Sequence, residues 1–114
     1  MTPAIYNIPD HYRGDTFDSI TFTIKEDTVA VDLTGASIKM DFRNRSNTGK
    51  LQATVSVGSG ITIDNAVGGV FTLDSFINDW NADVYFYDLK VTFSDGLVNT
   101  YFKGSLTVNQ DTTL

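Results

Sequence analysis

His11 is the only histidine among 114 residues, and there is no cysteine. These two counts decide most of the catalytic chemistry open to the chain. A nucleophilic relay needs an imidazole base beside a hydroxyl or thiol. His11 sits in the first fifteen residues, which also hold both prolines, Pro3 and Pro9. It reads as a locally bonded side chain rather than a base, and no catalytic residue is assigned. A single histidine excludes His-rich metal sites, and the lack of thiolates excludes Cys-based zinc. No Asp-x-Asp/Asn-x-Asp/Asn-Gly run occurs, so no EF-hand loop is expected. The nine glycines spell neither a phosphate loop nor a dinucleotide fingerprint. No metal and no cofactor is assigned.

Carboxylates are plentiful: thirteen Asp and one Glu, Glu26. A glycosidase needs two of them facing across a cleft. With so many aspartates some pair is inevitable, so a pair carries little information. Arg13-Gly14-Asp15 spells an adhesion tripeptide, which works only on a protruding loop. Here it reads as the lead-in to the first strand, where Asp15 or Thr16 bonds nearby backbone. Asn44-Arg45-Ser46 matches a glycosylation acceptor, which matters only on a secretory route. Trp80, Tyr85, Tyr87 and Tyr101 have flat apolar faces and polar tips, which suits stacking on a sugar. Core and interface packing is the favoured reading of these rings; sugar binding is the alternative.

Eight basic and fourteen acidic residues give a net charge of −6 and a pI near 4.4. A phosphate-backbone binder draws affinity from a Lys/Arg surface, so nucleic acid is not an expected partner. No apolar run approaches the ~20 residues of a membrane span, and no membrane is expected as partner. The start, Met1-Thr2-Pro3-Ala4-Ile5-Tyr6, lacks a basic stretch followed by an apolar core. No signal peptide is therefore expected, and the chain is placed in a cytoplasm at synthesis. Asp favours turns whereas Glu favours helices, so the acid usage points to a turn-rich, sheet-rich chain.

The elements follow from alternation. Residues 1–14 read as an extended arm ending at Gly14. Ile20, Phe22 and Ile24 share one side of a strand, and Ile38, Met40 and Phe42 share one side of the next clear one. Leu51, Ala53, Val55 and Val57 alternate again, followed by short strands at Ile61–Ile63 and Val70–Leu73. Phe76, Ile77 and Trp80 have roughly helical spacing behind Asp74 or Ser75, which predicts one short helical turn within 74–82. Tyr85, Tyr87, Leu89, Val91 and Phe93 share a face, with Val84 and Phe86 opposite, so the strand's first part is expected to be covered on both sides. Asp95-Gly96 predicts a tight hairpin. The return strand carries Phe102, Leu106 and Val108 in one register, and Gly104 marks a bulge or a close backbone approach. Residues 109–114 read as a frayed tail. The sum is one all-β domain: an immunoglobulin-like antiparallel β-sandwich of seven to nine short strands with one helical turn. A closed barrel such as an OB-fold is the alternative.

Several of these strings together resemble the N-terminal module of tailed-phage baseplate upper proteins. They are Arg13-Gly14-Asp15-Thr16 with the strand to Ile24, Val31-Asp32-Leu33-Thr34-Gly35, and Ile38-Lys39-Met40-Asp41-Phe42-Arg43. Val84-Tyr85-Phe86-Tyr87-Asp88-Leu89-Lys90-Val91, the Asp95-Gly96 turn and Thr100 to Val108 continue the likeness. It spans roughly residues 12 to 110. In that family the module is an immunoglobulin-like sandwich that joins receptor-binding machinery to the tail, and longer segments follow it.

The resemblance implies a non-enzymatic structural protein of the virion, made in the host cytoplasm and incorporated into baseplate or tail. Its partners would be other virion proteins and copies of itself, in a homo-oligomer. Unpaired backbone on arms and edge strands suits such contacts. The arm and the aromatic strand are the expected contact surface: Ile5, Tyr6, Ile8, His11, Tyr12, Trp80, Tyr85 and Tyr87.

Overall fold

A computed structural model describes residues 3–45 and 49–111, and no helix occurs among them. In chain order the strands are β1 (Ala4–Ile5), β2 (Ile8–Tyr12), β3 (Thr16–Phe17), β4 (Ile20–Thr23), β5 (Lys25–Glu26), β6 (Val29–Ala30), β7 (Ser37–Asn44), β8 (Lys50–Val57), β9 (Gly60–Asn65), β10 (Val70–Leu73), β11 (Phe76–Ile77), β12 (Asp83–Thr92) and β13 (Val98–Asn109). Eight of them have four residues or more, within the seven to nine that alternation predicts.

Two layers result. The first runs β13–β12–β7–β8, with β1 and β2 added at the β13 edge. The second runs β9–β10–β4. A two-residue parallel link, Ser56↔Gly60 and Val57↔Ile61, carries the chain from β8 to β9. Gly60 makes that corner possible. It holds φ +99, and a Cβ there would lie 2.7 Å from Val55 Cγ1. Two small ribbons, β3–β11 and β5–β6, close the ends.

Period-two alternation fills the space between the layers. Ile38, Met40 and Phe42 of β7 point inward, as do Tyr85, Tyr87, Leu89 and Val91 of β12. Phe22, Ile61, Phe71 and Leu73 meet them from the second layer in one continuous cluster. Phe22 stacks on Phe71 at 5.2 Å and also meets Phe102 of β13 at 5.3 Å, which ties the layers together. Each such burial stabilises by ~1.5–3 kcal/mol. Without a disulfide, this packing holds the sandwich.

Four expectations need correction. Residues 74–82 form no helical turn. Phe76 and Ile77 make strand β11, paired with Thr16 and Phe17 of β3, because a neighbouring strand there offers backbone partners. Trp80 still packs at the sheet end, against Phe42, Phe76 and Tyr85. The arm is extended but not free: β1 and β2 pair in parallel with β13. The sandwich is therefore antiparallel except at this edge and at the β8–β9 link. The tail begins later than Asn109, which belongs to β13, pairs with Tyr12 and accepts the Arg13 N–H at 2.8 Å. Residues 112–114 of that tail, 1–2 of the arm and 46–48, including Ser46 of the acceptor triplet, lie outside the described residues.

The last correction concerns coverage. Phe86 is 48% exposed, so β12 is covered on its inner side only. In β13 a register shift opposite Leu89 and Lys90 skips Tyr101, so Tyr101 is buried and Phe102 half-buried. Gly104 is a site of close approach, and the bulge lies three residues earlier.

Candidate interaction face

The outer face of the first sheet carries the side chains that alternation excludes from the core. From β7 these are Lys39, Asp41 and Arg43; from β12, Phe86, Asp88 and Lys90; from β13, Lys103 and Ser105. Register sets them opposite one another. Asp88 faces Asp41, Lys90 faces Lys39 and Phe86 faces Arg43 across β12 and β7. Asp88 also faces Lys103, and Phe86 faces Ser105, across β12 and β13. Like charges directly opposite on a sheet are destabilising, so the Asp41–Asp88 and Lys39–Lys90 pairs count against the fold.

One counter-charge and two hydrogen bonds soften this repulsion. Thr54 Oγ1 donates to Asp41 Oδ1 at 2.7 Å. Arg43 Nη2 lies 3.9 Å from Asp41 Oδ2, and Arg43 Nη1 donates to the Gly49 carbonyl at 3.0 Å. A trough of about 430 Å³ runs over Lys39, Asp41, Phe86, Asp88 and Lys103. A second, of about 320 Å³, shares Phe86, Tyr87 and Lys103 and continues to Ile5 and Asn7. Phe86 thus stands between two shallow depressions. Ile5, 70% exposed, and Leu51, 45% exposed, mark the apolar ends of the same face. Asp41 and Asp88 are carboxylates that do face each other, but on an open sheet among four cations rather than across a cleft.

The arm is seated by a few contacts. The Tyr6 N–H donates to the Lys103 carbonyl at 2.9 Å, and Asn7 Oδ1 accepts the Ser105 N–H at 3.2 Å. Tyr87 donates its hydroxyl to the Tyr6 carbonyl. A Cβ on Gly104 would lie 1.9 Å from the Tyr6 oxygen, so only glycine lets the arm lie this close. Tyr6 also sets its ring edge-on to Phe22 at 5.7 Å, closing the gap between the layers.

The eight expected contact residues divide sharply. Ile5 and Tyr12 are well exposed and Tyr6 is at the margin, 36% exposed. Ile8, Tyr85 and Tyr87 are buried, and His11 and Trp80 are half-buried. Tyr85 donates its hydroxyl to the Asn81 carbonyl, four residues upstream, at 2.6 Å. That is the tyrosine-corner arrangement of Greek-key sandwiches. Burial, with Asp83 nearby, raises the Tyr85 phenol above its ordinary pKa. Burial, with the Tyr6 phenol nearby, raises Tyr87 further. Tyr101 is buried too and bonded to Glu26 at 3.1 Å. The four rings considered for sugar stacking therefore form no exposed platform.

His11 Nε2 lies 2.9 Å from the Thr16 carbonyl and can only donate to it, while its ring tilts onto Phe17 at 5.0 Å. Arg13-Gly14-Asp15 does not protrude. Arg13 Nε donates to the Asp79 carbonyl, and the Gly14 N–H and Asp15 carbonyl both bond Asn78 backbone. Among the described residues no group of three or more His, Asp or Glu side chains is placed to hold a metal ion. Sequence reading missed Phe86, Lys39, Lys90 and Lys103 as a set. The signal was present in the polar face of each strand, but only the β7–β12–β13 register assembles it.

No family model matches the chain, and no curated protein matches it. Among solved structures, CopC from Methylosinus trichosporium OB3b superposes with a TM-score of 0.52 at 18% identity. The match covers 92% of this chain and 88% of that one. The fold is immunoglobulin-like. Drosophila OTK, extracellular domains 3–5, aligns at a TM-score of 0.40 and 16% identity, over 96% of this chain and 34% of that one. This immunoglobulin-like chain therefore spans about a third of the OTK structure.

Proposed function

We propose that the chain is a non-enzymatic structural module of a tailed-phage virion, of the baseplate or tail, acting through protein–protein contacts. The resemblance of its strand motifs to baseplate upper proteins supplies the setting. One observation carries the mode of action: an exposed Phe86 in a lattice of cross-strand like charges. On this face Asp41–Asp88 and Lys39–Lys90 set like charge against like, and about half of the Phe86 ring is left in water between them. A partner surface covers the ring and supplies the missing counter-charges. The arm, already bonded along β13, extends that face through Ile5 instead of offering a free strand.

Mass spectrometry of tailed particles produced from the genome that encodes the chain tests this reading. The chain is expected in purified particles. Phe86→Glu is expected to remove it from them while its thermal unfolding stays unchanged. Particles that never contain the chain would overturn the reading.

A further inference from the structure

We infer that the cationic outer face of the first sheet docks on the acidic outer face of the second sheet of another copy, so that copies associate head to tail. The inference rests on reading the first face as an assembly surface and names its occupant. The first face carries a positive excess on an otherwise acidic chain. Lys39, Arg43, Lys90 and Lys103 stand against Asp41 and Asp88 on the first, a local excess of two positive charges. The rest of the chain has four cations against twelve acids, a net of −8. Strands β4, β9 and β10 contain no Lys or Arg, and Lys25, two residues beyond β4, is the cation next to them in the chain. Their outer side carries Asp64, and Asp74 follows β10 directly; their carboxylates accept from Thr72 and Thr62 hydroxyls.

The pairing is complementary in side-chain chemistry as well as in sign. Thr21, Thr62 and Thr72 form one cross-strand row of small side chains that each carry a methyl group, which suits an exposed phenyl ring such as Phe86. The two faces lie on opposite sides of one sandwich, so the contact is heterologous. Such contacts close into rings or run on as filaments, the repetition a tail assembly needs.

Sedimentation of the full chain over a concentration series is the test, at about 0.1 M and about 1 M salt, between which the screening length falls from ~10 Å to ~3 Å. Oligomers are expected at the lower salt and at least tenfold weaker association at the higher. The double variants Lys39→Glu/Lys90→Glu and Asp64→Lys/Asp74→Lys should each sediment as monomers alone. Mixed together they should associate again, because each restores the face the other lacks. Unchanged melting temperatures show that the variants fold; if one does not, the salt series on the native chain still decides. A native chain that stays monomeric at both salts overturns self-docking while leaving incorporation into particles untouched. Association that survives Asp64→Lys/Asp74→Lys overturns the acidic face as occupant.

Discussion

The two outward faces of the sandwich arise from the same alternation and end as opposite surfaces. On the second sheet, Thr72 is flanked by Thr62 of β9 and Thr21 of β4. Its hydroxyl meets Thr21 Oγ1 at 3.1 Å and donates to Asp64. Threonine suits a strand, and its hydroxyls bond across the row and to Asp64, so the row is hydrogen-bonded within itself. On the first sheet the corresponding row sets Asp88 against Asp41 and Lys90 against Lys39, with Phe86 in water. Both inner faces feed one buried cluster, so the difference lies wholly on the outside. What separates them is that one outer face bonds within its own row and the other sets like charge against like.

Gly104→Ala should give the largest effect, because it removes the edge strand on which the first face depends. The added methyl meets the Tyr6 carbonyl at 1.9 Å, so β1 must lift. Lifting the arm costs the Tyr6–Lys103 bond, the acceptor of the Tyr87 hydroxyl and the burial of Ile8. A loss of about 2–4 kcal/mol is expected in denaturant unfolding. Amide exchange should accelerate over residues 4–12 and not over the threonine row. Exchange that rises equally in both sheets would break the comparison.

Tyr87→Phe is a milder cut at the same seat, with an expected cost of about 1 kcal/mol for one buried hydrogen bond. It also has a pH signature. Burial holds the Tyr87 phenol above the ordinary tyrosine value of about 10. A raised folded pKa means that the neutral phenol is favoured by folding. Its contribution is whole below the unfolded pKa and is lost as pH rises through the folded value. Tyr85 and Tyr101 are shifted in the same direction. The native chain should therefore lose stability above pH ~10, and Tyr87→Phe should lose it less steeply. Thr72→Ala, on the other face, should cost about 1 kcal/mol by deleting two hydroxyl contacts, with no change in the alkaline slope.

Much of this architecture is legible in the residues, because alternation reports which side of a strand is buried. Ile38, Met40 and Phe42, and Tyr85 through Val91, stand where their period places them. Period alone fails where pairing decides. Phe76, Ile77 and Trp80 have spacing that suits a helical turn, yet β3 supplies backbone partners and the segment extends. The arm's docking is equally hidden: Ile8 stands between Asn7 and Pro9 with no alternation around it, and Gly104 records the crossing without naming what crosses. The candidate face is the least legible part. Lys39 and Lys90 are fifty-one residues apart in sequence, and nothing but register makes them neighbours. The buried tyrosines misled for the complementary reason, since a polar tip says nothing about which way a ring points.

Lys90→Thr sharpens the comparison most finely, because it makes one position of the first face resemble the second. The substitution removes the Lys39–Lys90 repulsion and installs a better strand former. It also gives up the attraction of Lys90 to the carboxylates on the neighbouring row, so the net change in stability should stay within ~0.5 kcal/mol, on the stabilising side. Self-association at low salt should weaken all the same. A side chain whose loss leaves the fold as stable or more so, yet loosens the contact, is one the fold did not select. If Lys90→Thr instead destabilised by more than ~1 kcal/mol, the cross-strand charges would be structural after all, and the contrast between the two faces would lose its meaning.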